Sequence, residues 1–148
     1  MINLNKMTDE ETWDMCKDII TSSYDGNPDC EDFHEAIWSA STEFLAGLEV
    51  SVIVDKEDKL FISKGTSSFV DYKKENVKGL KIPMKCWLHT HPFGTAYFSD
   101  TDWNTINNQA PILNSAIVLG NMERMKWCKI GNKEILSKTN LIDLDSEE

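Results

Sequence analysis

The stretch MKCWLHTHP (84–92), continued by FGTAYF (93–98) and then Ser99-Asp100-Thr101-Asp102, organises this chain. Residues 84–91 are rich in apolar and aromatic side chains and stop at Pro92, which cannot continue a hydrogen-bonded ladder, so they read as a strand. FGTAYF is a loop. Ser99 opens a helix expected to run to about Asn108, because a serine with an acidic residue three positions later satisfies the free amides of a first helical turn.

Upstream, residues 8–23 form an expected helix capped by Thr8, with Glu11 as its capping-box partner and Trp13, Cys16, Ile19 and Ile20 on one face. After the turn signal YDGNPD, residues 29–41 form a second helix, with Asp29 as cap and Phe33, Ala36, Ile37 and Ala40 as its stripe. Residues 44–55 read as a strand, Lys56-Glu57-Asp58 as a turn, 59–63 as the returning strand and 64–83 as a long polar loop. Beyond the central helix, strands are expected at 112–119 and 124–130, joined at Gly120-Asn121, followed by the acidic tail LIDLDSEE. This order predicts an α+β or α/β domain with one mixed sheet flanked by helices. Residues 1–28 would be a helical extension packed on the domain, 29–138 the domain itself and 139–148 the tail.

The composition narrows the function. The chain has 148 residues, 41% of them hydrophobic, which is enough for a core without disulfides. Twenty-five acidic against fifteen basic residues leave a net charge of −10, which argues against binding nucleic acid or anionic membranes. No apolar run reaches the ~18 residues of a membrane span. The opening MINLNKMTDEE carries no apolar signal region, so a cytoplasmic location is expected. The four cysteines (16, 30, 86 and 128) form no CxxC pair and read as reduced thiols; Cys30 and His34 alone make a weak metal pair. The five tryptophans read as core. The pattern is silent on oligomeric state.

His89 and His91 stand at i and i+2 on a strand, so their imidazoles share a face. Asp102, at a rigid helix start, supplies a carboxylate. Two neutral imidazoles and one carboxylate leave a fourth position on a zinc ion for water, the arrangement of a catalytic site. Phe93 and Tyr97, in the loop between the ligands, are candidates for substrate contact.

HTHPFGTAYFSDTD resembles the motif of the JAMM (MPN+, or JAB) metalloproteases, His-x-His-Pro followed by Ser-x-x-Asp, with the spacing met in full. The close match covers about fourteen residues, and the element order fits loosely over residues 30–130. The resemblance implies a JAB/MPN-like (cytidine-deaminase-like) fold, with Zn2+ held by His89, His91 and Asp102. It also implies Ser99 supporting a tetrahedral intermediate and an upstream glutamate acting as general acid/base. The implied reaction is cleavage of isopeptide or peptide bonds, with a protein or peptide substrate such as a ubiquitin-like conjugate. The family's glutamate lies where helix gives way to first strand, often shortly before a glycine. Glu43 meets that description, with one extra residue before Gly47; Glu49, within the expected strand, is the alternative. Two other readings stand beside this one: an inactive scaffold of the same fold, and a RadC-like protein, which carries a similar motif.

Overall fold

A computed structural model describes residues 7–65 and 78–141. The elements are α1 (Asp9–Ser23), α2 (Glu31–Ser39), a π-helical turn (Ala40–Phe44), β1 (Val50–Val54), β2 (Leu60–Lys64), β3 (Cys86–Thr90), α3 (Asp100–Gln109), a 3-10 turn (Ala110–Ile112), β4 (Ser115–Gly120), β5 (Glu123–Ile130) and β6 (Lys133–Asn140). The result is a mixed α+β fold with one six-stranded sheet in the order β2-β1-β3-β4-β5-β6. Neighbours are antiparallel except β3 and β4, which run parallel with α3 in the connection between them.

The period-2 alternation of the central strands sorts side chains onto two covered faces. Val50, Val52, Val54, Cys86, Leu88, Ile117 and Leu119 pack with Cys16 and Ile20 of α1 and Phe33 and Ile37 of α2. Ile53, Trp87, Ala116, Val118 and Trp127 pack on the other face with Ile106 of α3. Every residue of β1, β3 and β4 is buried as a result. His89 has the same parity as Trp87, so the alternation sends it to the α3 face. Trp87 and Trp127 are fully buried, and Trp13, Trp38 and Trp103 pack at the margins of these clusters.

Local signals located most element starts. Thr8 caps α1 in a capping box with Glu11. Ser99 caps α3 in the same way with Asp102. Asp29, however, does not cap α2; Cys30 occupies that position with no side-chain hydrogen bond. The Asp29 carboxylate instead accepts from Lys126 Nζ at 2.8 Å, a β5 residue remote in sequence. The strand expected over 44–55 is confined to Val50–Val54, because the π-helical turn carries helical backbone to Phe44 and Ala46 and Gly47 then take positive φ. The strand expected from 112 begins at Ser115, behind the 3-10 turn.

One strand was not foreseen: β6, which pairs along the whole of β5 through the Gly131-Asn132 loop, so the tail boundary at 139 falls inside a strand. Most of the loop expected over 64–83, the acidic residues 142–148 and the opening residues 1–6 lie outside the described residues. Among the described residues, no helix is long and apolar enough to cross a membrane, and the four cysteines are free.

Candidate metal centre

Three side chains converge where β3 ends. His89 is the fourth residue of β3 and His91 follows it, its backbone N–H still bound to Leu119 O of β4 at 2.8 Å. Asp102 is the third residue of α3. One ligand atom from each lies within 4.8 Å of the others, so the group can hold a metal ion. His89 Nε2 is 3.1 Å and His91 Nε2 3.4 Å from Asp102 Oδ2. His89 and Asp102 are fully buried, whereas His91 is partly open.

Each ligand is held by an independent device. The Asp102 carboxylate accepts from Ser99 N at 3.0 Å through Oδ2, while Ser99 Oγ accepts from Asp102 N at 3.1 Å. The helix cap thus fixes the carboxylate. The His89 ring stacks on Trp87 with centroids 4.4 Å apart, and Trp87 is itself pinned by donating from Nε1 to Ser51 Oγ at 2.9 Å. His91 meets the Tyr97 ring edge-on at 4.9 Å. Thr90, between the two histidines, points to the opposite face and anchors the strand. Val50 N donates to Thr90 Oγ1 (3.0 Å), which donates to Ser41 Oγ (2.9 Å), which donates to Leu48 O (2.5 Å). That chain of bonds ties the tip of β3 to residues 48–50.

The electrostatics suit a cation. Burial alone would raise the Asp102 pKa, but the adjacent His89 and His91 rings, with the Ser99 amide, hold it well below the usual carboxylate range. Burial pulls His91 down, and Asp102, the Thr95 backbone and Glu49 more than reverse this, so its pKa sits above the ordinary histidine value. Although His89 Nε2 lies close to Asp102, the contact is poorly aligned. Both His89 ring nitrogens and Asp102 Oδ1 are buried without a hydrogen-bond partner among the described residues. Leaving such a group unsatisfied costs ~1–3 kcal/mol. A metal ion would accept the lone pair of one His89 ring nitrogen and of the carboxylate and relieve that part of the cost, so the donor set fits one.

A cleft of ≈ 450 Å³ lies against His91, walled by Glu49, Ser99, Phe93, Tyr97 and Gly47. Phe93 is 87% and Tyr97 51% exposed. The Phe93 ring rests over Gly47, where a Cβ would come within 2.2 Å of the ring and where φ is +91°. Only glycine suits that backbone and that contact. Gly120 does comparable work beneath: a Cβ there would be 2.4 Å from Ala96 N, so the loop between the ligands lies directly on the end of β4.

The two glutamates separate in space. Glu43 sits on the π-helical turn, exposed and away from the cleft walls. Glu49, immediately before β1, lies on the wall beside His91 and Ser99. Of the two, Glu49 lines the cleft and Glu43 does not. The two part because helical backbone continues through Glu43 and the positive-φ residues Ala46 and Gly47 then redirect the chain. Cys30 and His34 form no metal group: Cys30 Sγ faces Ser23 O at 3.9 Å and His34 Nε2 lies 2.7 Å from Pro28 O.

Compared with protein-family models, with curated proteins and with solved structures, the chain finds no match in any of the three.

Proposed function

We propose that this protein is a zinc-dependent hydrolase of the JAMM type, on a JAB/MPN-like fold, cleaving isopeptide or peptide bonds of a ubiquitin-like or small peptide conjugate. The observation that carries this reading is the His89-His91-Asp102 group, whose partly open member His91 borders a cleft that also presents a carboxylate and a hydroxyl. The resemblance of HTHPFGTAYFSDTD to the JAMM motif supplies the reaction class.

His89, His91 and Asp102 would hold a zinc ion, which would supply Lewis acidity and a water of pKa ~7. The remaining chemistry belongs to the chain. The Glu49 carboxylate, on the cleft wall, takes the proton of the attacking water and passes it to the departing amine. The Ser99 hydroxyl uses one lone pair for the Asp102 amide and keeps its own proton to donate to the carbonyl oxygen as negative charge develops. Phe93 and Tyr97 offer an apolar wall against which an extended substrate can lie, and the Thr90–Ser41–Leu48 bonds keep Glu49 in position.

The test is chelator-sensitive hydrolysis of a ubiquitin-like conjugate, with zinc content measured alongside. Glu49→Gln should lower turnover by ~10²–10⁴ while zinc is retained, and Glu43→Gln should leave it within about twofold. Loss of activity in the Glu43 variant alone would return the acid/base role to Glu43. Protein purified without near-stoichiometric zinc, and unable to take it up, would instead identify an inactive scaffold.

A further inference from the structure

We propose that the outer edge of β6 is a self-complementary dimer interface, two copies of the chain pairing β6 with β6, antiparallel, about Leu136. This goes beyond the hydrolase reading and does not depend on it. β6 is the last strand of the sheet, eight residues long, and every one of its residues is exposed. It contains no proline to interrupt a ladder, and Leu136 (52% exposed), Ile135 (43%) and the adjoining Ile130 (65%) are apolar. A long, regular, partly apolar edge of this kind is a template for another strand.

The direction of its backbone groups follows from the hairpin. Ile130 and Lys133 flank a two-residue loop and pair with each other, which makes theirs a hydrogen-bonded pair. The odd-numbered residues of β6 therefore turn their amides and carbonyls toward β5. Glu134, Leu136 and Lys138 turn theirs outward, and their side chains share one face.

Read along that face, the sequence is Glu-x-Leu-x-Lys. Paired antiparallel with itself about Leu136, it sets Leu136 against Leu136 and each Glu134 against the other copy's Lys138. Glu134, Leu136 and Lys138 then all join in hydrogen-bonded pairs. A register centred on Lys138 would oppose lysine to lysine, and one centred on Ile135 would oppose Glu134 to Leu136. Edge lysines usually discourage strand addition; here the register about Leu136 answers Lys138 with a carboxylate. In each copy Lys138 Nζ also lies 3.3 Å from Glu123 Oε2, and Glu134 Oε1 accepts from Trp127 Nε1 at 2.9 Å. Both side chains are thereby held beside the edge rather than free to sweep solvent. The pairing is isologous, so it closes at two copies instead of propagating.

Sedimentation of the full chain across a micromolar concentration series tests this. The expected result is a reversible monomer–dimer equilibrium. Glu134→Lys, and separately Lys138→Glu, set like charges opposite one another at both ends of the pairing and should weaken association by ~tenfold or more. The double variant E134K/K138E should restore it. Amide exchange in the unmodified protein gives an independent readout: Glu134, Leu136 and Lys138 should become protected as concentration rises, and their protection should vanish on dilution. A chain that stays monomeric throughout overturns the proposal, including the case in which β6 binds some other partner. So does a dimer insensitive to both single substitutions or not restored by the double one, or a dimer that leaves those three amides unprotected.

Discussion

β3 and β6 belong to one sheet and stand at opposite extremes of it. Every residue of β3 is buried and every residue of β6 is exposed. β3 has strands on both sides and helices over both faces, whereas β6 has β5 on one side. The tip of β3 therefore holds imidazoles against one carboxylate, through stacking on Trp87 and the Thr90 hydroxyl chain. β6 fixes little beyond its own hairpin. Precision in this molecule comes from the number of independent constraints on a residue rather than from secondary structure as such.

The contrast is broken most severely at Asp102. Asp102→Ala removes a ligand and a cap together, so metal affinity should fall by more than ~100-fold and the chain should lose ~1 kcal/mol of stability. Metal analysis by mass spectrometry and thermal melting read the two effects separately. Next comes Ser99, whose hydroxyl caps α3 and, on the proposed reading, also donates to the substrate carbonyl. Ser99→Ala should cost ~10²–10³ in turnover as well as the stability of the cap. Ser99→Gly, a tolerable cap, should recover most of the stability and none of the turnover. Recovery of both would reduce Ser99 to a cap.

A smaller effect follows from protonation. The raised pKa of His91 means that the metal-free folded chain binds this proton more tightly than the unfolded chain does. That contribution to stability is complete below the ordinary histidine value of ~6.5 and is lost as pH rises through the folded pKa. Asp102 acts in the opposite sense: its depressed pKa stabilises above the ordinary value of ~3.9, and this is lost as pH falls. The melting temperature of metal-free protein should therefore decline between pH 6 and pH 8. Zinc must displace the His91 proton, so its stabilising increment should grow over that same interval. Calorimetry with and without zinc measures both slopes. The smallest change is expected at the exposed strand: Thr139→Ala should alter stability by no more than ~0.5 kcal/mol in dilute solution.

The same contrast explains what could be read from the sequence. The convergence of His89, His91 and Asp102 was legible because the rules behind it are local. Strand parity puts His89 and His91 on one side, and a Ser-x-x-Asp cap fixes where Asp102 begins its helix. Glu49 was harder, since its place depends on helical backbone persisting through Glu43 and on two residues of positive φ that follow. Asp29 had the chemistry of a cap but was claimed by Lys126, far along the chain. β6 escaped notice for a different reason. KEILSKTN is exposed throughout, so no alternation of apolar and polar residues marks it, and its one visible sign was the Gly131-Asn132 loop.

Asp102 Oδ2 receives the Ser99 amide and also faces both imidazoles. That one oxygen has a reason to persist that owes nothing to an ion, because the helix needs it to begin. His89 has no such polar employment: among the described residues its ring nitrogens find no hydrogen-bond partner. In a lineage that abandoned the metal, the aspartate would survive as architecture while the imidazole drifted toward an apolar residue. The histidine, not the acid, is the part of this centre that a bound ion would complete.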